Sequence, residues 1–322
     1  MSLEDVLREL TDPAAELAAS KLTELSGLDQ GKKALLEQTW PEIILQRRVS
    51  LIQELVELAE DNVELNFDAV FFIGLKDRDA DVRTHAIKGL WENEQRTTLE
   101  HLLDMLVNDA APVVRAEAAL ALGHSVLRAE TGALEEVDIE RIENALHDVI
   151  EDDVEEVEVR GRALESIGAR SEGWVTDLID QAFDSGDRRL RISAVHAMGR
   201  SCDAAWLPVL YSELESDDAE MRFEVAGAIG MIADDSAIPY LLPMLEDEDA
   251  EVQAAALAAL GEIGGDTAKG ALEDVAAAGD SALRELALEA LSEAEFAEDP
   301  LSFSVRGEGG GAEGNGAENG RS

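Results

Sequence analysis

Apolar residues recur along much of the chain at the spacing of one helix face. Four stretches show this clearly: VRAEAALALG from Val114, LRISAVHAMG from Leu190, MRFEVAGAIG from Met221 and VQAAALAALG from Val252. In each stretch small or apolar residues follow the first position at intervals of three or four. At 100° per residue these positions share one side of a helix. Each stretch is therefore predicted to be an amphipathic α-helix that buries one face.

These helices repeat at a nearly constant spacing, with one longer interval. An apolar residue followed by arginine opens six of them, and Gln253 takes the place of the arginine in a seventh. Successive positions are separated by 32, 45, 31, 31, 31 and 31 residues. We call the positions of the six arginines and of Gln253 the ladder positions, and the six arginines the arginine ladder; they are Arg83, Arg115, Arg160, Arg191, Arg222 and Arg284.

A second apolar stretch precedes each ladder helix, as in WLPVLYSELES from Trp206, and an acidic turn joins the two. An aspartate four residues before the ladder position, such as Asp79, Asp218 or Asp249, is placed to cap the second helix. The repeating unit is thus a helical hairpin. A single hairpin cannot bury its apolar face alone, so the hairpins must stack.

The predicted fold is an all-α solenoid, a superhelix of helical hairpins with a period of about 31 residues. Residues 1–40 are predicted to form capping helices. The repeat array is predicted over residues 41–298, with an insertion around residues 127–153 that accounts for the 45-residue interval. Residues 299–322 are rich in Gly and Glu and are predicted to be a disordered tail.

The turn and the helix start carry a family resemblance. Residues 77–83 read D-x-D-x-x-V-R, and residues 115–123 contain A-x-x-A-L-G. This pattern resembles the short HEAT repeats of the phycobilisome-lyase type. The resemblance implies the hairpin solenoid. It leaves the function open, since such repeats occur in lyases, hydroxylases and adaptors.

Charge narrows the possible partners. The chain has 26 Lys and Arg against 71 Asp and Glu, a formal net charge of −45. This field repels phosphate backbones and anionic membranes, so nucleic-acid and membrane binding are disfavoured. Lysine is scarce, with 6 Lys beside 20 Arg, which resembles proteins of salt-accumulating haloarchaea. The excess of Asp and Glu over Lys and Arg indicates either adaptation to high salt or recruitment of a basic partner.

Other sequence features bear on the compartment. Cys202 is the only cysteine, which favours a reducing compartment. The first residues, MSLEDVLREL, lack the basic and apolar regions of a signal peptide, and no apolar run is long enough to span a bilayer. We therefore expect a cytoplasmic protein, and we expect it to be monomeric.

Candidate catalytic and metal-binding residues do not form known patterns. None of the five histidines precedes a glutamate, unlike the His-Glu pairs that bind iron in the HEAT-repeat deoxyhypusine hydroxylases, and no zinc-binding spacing occurs. Cys202 has no evident base beside it. We therefore expect no cofactor, no metal and no catalytic residue. The arginine ladder could be a row of anion-binding groups, but its period favours structural bridges to the acidic turns of adjacent repeats.

The positions one and five residues after the ladder position are predicted to face away from the core. They place Ile192, His196 and Phe223, with Trp91 near the equivalent positions further up, on the expected concave face. These four residues are a candidate partner-binding surface. The alternative is that they pack between helices. The predicted function is a non-catalytic scaffold or adaptor that binds another protein through this face; the alternative is a lyase-type enzyme or subunit resembling the bilin lyases.

Overall fold

The computed structural model describes residues 2–15, 18–278 and 281–298. Within these ranges there are eighteen α-helices, five short 3-10 helices and no strand, so the predicted all-α fold is confirmed. The chain divides into two compact units, Met1–Ala197 and Met198–Ser322. The predicted disordered tail, residues 299–322, lies outside the described residues.

The first unit contains three N-terminal helices, a long fourth helix and then hairpins. The bounds are α1 (Leu3–Thr11), α2 (Ala19–Leu22), α3 (Gln30–Thr39), α4 (Leu45–Asp61), α5 (Asp68–Gly74), α6 (Ala80–Lys88), α7 (Arg96–Asn108), α8 (Pro112–Glu130), α9 (Glu136–Glu151), α10 (Val157–Ile167), α11 (Gly173–Asp184) and α12 (Arg188–Arg200). The boundary between the units falls inside α12. Around residues 127–153, where the insertion is predicted, α8 has 19 residues and α9 has 16.

The second unit continues the pattern of hairpins. Its helices are α13 (Leu207–Glu213), α14 (Ala219–Ile232), α15 (Ile238–Leu241), α16 (Ala250–Ile263), α17 (Gly265–Ala278) and α18 (Ser281–Glu298). In both units the even-numbered helices from α6 onward begin three residues before a ladder position. We call these helices, together with α4, the second helices. Second helices of successive hairpins pack directly on one another: α4 on α6, α6 on α8 and α8 on α10 in the first unit, and α14 on α16 and α16 on α18 in the second.

The predicted caps are present at the starts of second helices. The Asp79 side chain accepts hydrogen bonds from the backbone N–H groups of Asp81 and Val82. Asp218 and Asp249 accept from the N–H groups of Glu220 and Glu251, two residues on. A carboxylate at this position accepts hydrogen bonds from backbone N–H groups that have no partner within the helix. The positive end of the helix dipole also stabilises its negative charge.

Arginines of the ladder join successive hairpins. Arg83 donates two hydrogen bonds to the Asp109 carboxylate, Arg115 does the same to Glu155, and Arg222 to Asp247, with distances between 2.6 and 2.8 Å. In each pair the carboxylate lies in the acidic turn of the following hairpin. The planar guanidinium matches the two carboxylate oxygens, which makes these among the stronger hydrogen-bonded pairs.

The same arginines also bind the turn of their own hairpin. The remaining guanidinium nitrogen donates to the carbonyl oxygen six residues earlier: Arg83 to Asp77, Arg115 to Asp109 and Arg222 to Ser216, at 2.7–2.9 Å. Contacts within their own hairpin are also present for the other three ladder arginines. Arg160 donates to the Ile150 carbonyl, Arg191 lies over the Phe183 ring, and Arg284 donates to the Ala276 carbonyl.

Glycines allow the second helices to approach closely. A Cβ atom on Gly168, Gly199 or Gly261 would lie 2.8, 2.6 or 3.0 Å from the nearest atom of an alanine on the next second helix. Those alanines are Ala197, Ala228 and Ala290. Real Cβ atoms essentially never come as close to a backbone as those at Gly168 and Gly199 would, so a side chain there would push the helices apart. A side chain at Gly261 would require a smaller shift.

Candidate functional site

A groove of about 810 Å³ runs across the second-helix row of the first unit. Its walls come from α4, α6, α8 and α10, and it is lined by both apolar and charged side chains. We call it the second-helix groove. The residues that define it here are Trp91, Val113, Glu117, Leu120, His124 and Arg162.

The apolar wall of the groove is formed by three exposed side chains. Val113 and Leu120 lie seven residues apart on α8, which places them on the same helix face two turns apart. Trp91 follows the end of α6. The exposed fractions of Trp91, Val113 and Leu120 are 55%, 50% and 42%. Large apolar side chains this exposed, grouped in one concavity, are typical of surfaces that bind a partner.

Trp91 occupies a junction between cavities. It also lines an adjoining cavity of about 650 Å³, formed with residues of α4 and α5, and a small one of about 70 Å³ beside α7. The indole is thus accessible from more than one direction. An aromatic side chain in such a place offers a large contact area at low entropic cost.

Glu117 brings a mostly buried carboxylate to the floor of the groove. Its side chain is 17% exposed, and its ion pair is with Lys88 on α6 at 3.7 Å between Nζ and Oε2. Burial raises the pKa of Glu117, and the positive charges of Lys88 and Arg162 only partly offset this rise. A carboxyl group with a raised pKa inside a cleft is a common feature of functional sites.

The α10 end of the groove is closed by a network of ion pairs. Arg162 contacts Glu158 at 3.0 Å and the buried Glu165 at 2.9 Å. Arg189 on α12 contacts the same two glutamates and donates to Ser193, which in turn donates to Glu165. Burial alone would lower the pKa of Arg189, but the hydrogen bonds and charges of Glu158 and Glu165 outweigh burial and raise it. The network holds Arg162 in place.

The described residues form neither a cluster of metal ligands nor a helix that could span a membrane. Across residues 2–15, 18–278 and 281–298, no three His, Cys, Asp or Glu side chains are grouped so that they could hold a metal ion. No helix in the described part of the chain is both long and apolar enough to cross a membrane.

Comparison with protein families decides the family. A model described as HEAT repeats matches residues 69–139, 175–247 and 207–292, which together make up more than half of the chain. The chain belongs to the HEAT-repeat family. No curated protein is significantly similar to it in sequence.

Several solved structures are similar to this HEAT-repeat protein. The complex of CpcE and CpcF of phycocyanin lyase from Nostoc sp. PCC7120 is 15% identical, over 88% of this chain and 97% of that chain, with a TM-score of 0.51. Human deoxyhypusine hydroxylase is 22% identical over 86% and 98%, with a TM-score of 0.37. Kap121p bound to Nup53p is 16% identical over 95% and 40%, with a TM-score of 0.48. At these identities the likeness to the lyase complex shows the fold alone, so scaffold and lyase both remain hypotheses.

The structure places the predicted partner-binding residues differently. Trp91 lies in the second-helix groove. Ile192 on α12 is only 3% exposed, so its predicted outward position is wrong. His196 is half-buried, and Phe223 on α14, in the second unit, is 41% exposed. Partner binding by Trp91, His196 and Phe223 stays a prediction.

The burial of Ile192 is shared by other hairpins of the first unit. The residue directly after the ladder position is buried there, as Thr84 and Ala116 also show, whereas Phe223 at the same position of the second unit is exposed. The residue five after the ladder position does face outward in α6 and α8, where it is Lys88 or Leu120. Sequence reasoning missed Val113, Glu117 and Leu120. The available signal was Leu120, a large apolar residue at an outward position.

Proposed function

We propose that this HEAT-repeat protein is a non-catalytic scaffold or adaptor that binds another protein through the second-helix groove. The observation that supports the proposal is the grouping of exposed Trp91, Val113 and Leu120 around a concavity of about 810 Å³. Binding energy in protein interfaces concentrates in buried aromatic and aliphatic side chains seated in such pockets.

The charge of the chain supports a protein partner rather than a nucleic acid or an anionic membrane. A net charge of −45 opposes the approach of phosphate groups. The proposal includes a monomeric protein that acts without a cofactor. It also places the protein in the cytoplasm, because the chain has a single cysteine.

Trp91→Ala is expected to weaken partner binding by at least about tenfold, since truncating an aromatic side chain at the centre of an interface typically costs about 2 kcal/mol or more. The melting temperature should change little, because Trp91 is 55% exposed. The test is affinity capture from a native high-salt lysate with wild-type and variant baits, followed by mass spectrometry. The affinity of the recovered partner for each bait is then measured.

The matched control is Val107→Ala. Val107 is 60% exposed on α7, which precedes the second helix α8 in its hairpin, and does not line the groove. The Val107→Ala variant should capture the partner as wild type does. Equal binding by wild type and Trp91→Ala would refute the groove as the docking site. Phe223→Ala, measured alongside, would reveal whether the second unit also contributes to binding.

We also propose that the protein is adapted to high salt, and this carries its own expected result. The screening length is about 3 Å at 1 M salt and about 30 Å at 0.01 M, so repulsion among the acidic groups grows as salt is removed. The melting temperature, followed by circular dichroism, should therefore rise steeply between these salt concentrations. A melting temperature independent of salt would indicate that the excess of acidic residues serves to recruit a basic partner instead.

A further inference from the structure

We infer that the partner presents a lysine or arginine next to its apolar side chain, and that the Glu117 carboxylate receives this cation in the second-helix groove. The inference rests on the proposed function, because it specifies the chemistry of what occupies the same groove.

Glu117 is placed between the apolar side chains that would contact the partner. It follows Val113 by four residues and precedes Leu120 by three, so all three lie on one face of α8. An apolar side chain seated against Val113 and Leu120 would bring its neighbouring residues to the Glu117 carboxylate. One partner segment can therefore contact both kinds of group at once.

The ion pair of Glu117 is longer than those of comparable carboxylates in this unit. Asp109 and Glu155 meet their arginines at 2.7 and 2.6 Å, through two hydrogen bonds each. Glu117 meets Lys88 at 3.7 Å, and the Lys88 side chain is 49% exposed. A carboxylate can accept about four hydrogen bonds, so Glu117 retains capacity for another donor. The pKa of Glu117 is raised for the same reason, because the nearby positive charges offset only part of the effect of burial.

The cations already in the groove do not exclude another one. Arg162 is held by Glu158 and Glu165 at the α10 end. Lys88, being half exposed, is free to turn towards solvent when a second cation arrives. The lining carries four carboxylates, including Glu60 and Glu156, against two permanent cations. The surrounding charge of −45 favours the approach of a cation and opposes that of an anion.

The first experiment selects ligands from a library of random linear peptides displayed on phage, with the full-length protein as the target. We expect the enriched peptides to combine a large apolar residue with Lys or Arg within one helical turn. The Trp91→Ala variant should not enrich them. The Glu117→Gln variant should enrich peptides that still contain the large apolar residue but are no longer enriched in Lys or Arg.

The second experiment measures one enriched peptide and its Lys-or-Arg→Gln counterpart by fluorescence anisotropy. On the wild-type protein, loss of the cation should weaken binding on the order of tenfold, the range expected for a hydrogen bond between charged groups. On Glu117→Gln the two peptides should bind almost equally. The matched control is Glu100→Gln, which removes an acid whose ion pair is also 3.7 Å long but lies on the exposed surface of α7. It should behave as wild type.

The outcomes separate this inference from the proposed function. If enriched peptides need Trp91 but carry no cation, or bind Glu117→Gln and wild type with the same preference for the cation, the inference is overturned and the groove remains a docking site. If enriched peptides bind Trp91→Ala as well as wild type, the proposed function itself fails. The peptide substitution still reports on the cation if Glu117→Gln proves unstable.

Discussion

Arg222→Gln is expected to lower the free energy of unfolding by about 2–3 kcal/mol, because it breaks a largely buried ion pair and leaves Asp247 without its charged partner. The two side chains are 9% and 11% exposed. Glutamine retains part of the original bonding: Gln253, at the equivalent position of α16, donates to the carbonyl oxygen six residues earlier at 2.7 Å. The substitution therefore isolates the bridge to the next hairpin. Urea unfolding in high salt measures the change.

The control for this variant is Arg8→Gln. Arg8 also pairs with an aspartate, Asp5, but the arginine side chain is 76% exposed. Exposed ion pairs contribute about 0–1 kcal/mol, so the control should be nearly neutral. Similar losses for the two variants would mean that the ladder is not a structural bridge.

The pH dependence gives a second measurement on the same pair. The hydrogen bonds from Arg222 lower the pKa of Asp247 below its ordinary value of 3.8. A depressed carboxyl pKa contributes stability that is present above the ordinary value and lost as pH falls through the folded-state value. Wild type should therefore exceed Arg222→Gln in stability at neutral pH. The two should converge as the pH falls below about 3.8.

Gly199→Ala is expected to lower the free energy of unfolding by about 2 kcal/mol. The added methyl would lie 2.6 Å from the Cα and 2.9 Å from the Cβ of Ala228 on the next second helix. Neither backbone can yield without separating the helices, and overpacking of this kind typically costs about 1–3 kcal/mol. Thermal or urea unfolding of the two proteins gives the difference.

Gly227→Ala provides the opposite result within the same unit. Gly227 lies inside α14, and a Cβ there would meet no atom within 4 Å. Alanine favours the helix over glycine by about 1 kcal/mol, so this variant should be more stable than wild type. If both substitutions stabilise the protein, the close approach of α12 and α14 does not limit the packing.

The sequence was sufficient to predict the hairpins because their determinants are local and repeated. The apolar positions of the stretch from Val114 define α8, and Asp79, Asp218 and Asp249 cap the helices where the spacing places them. Repetition helps, since the same pattern in several hairpins excludes chance. These features follow from helix geometry alone.

The candidate site could not be predicted in the same way. The period of one helix identifies the face that is buried against its own hairpin, but not the flank that the neighbouring hairpin covers. The period therefore predicts that Ile192 lies on the surface, although it is buried. The groove combines residues of α4, α6, α8 and α10, which are far apart in the sequence. Glu117 belongs to a stretch that otherwise resembles ordinary core, and only the assembled helices show it facing the groove.

Asp109 illustrates how the hairpins are linked. Its carboxylate accepts from Arg83 of the preceding hairpin, and its carbonyl oxygen accepts from Arg115 of its own. Each such hairpin therefore supplies a carboxylate in its turn, which accepts from the arginine of the preceding hairpin. It also supplies an arginine in its second helix, which donates to the turn of the following hairpin. After a hairpin is duplicated or deleted, every carboxylate still meets an arginine of the preceding hairpin, provided that the six-residue spacing between the acidic residue and the arginine is kept. The array can change its length in whole hairpins at little cost, whereas an insertion of a few residues between acid and arginine would break two connections at once.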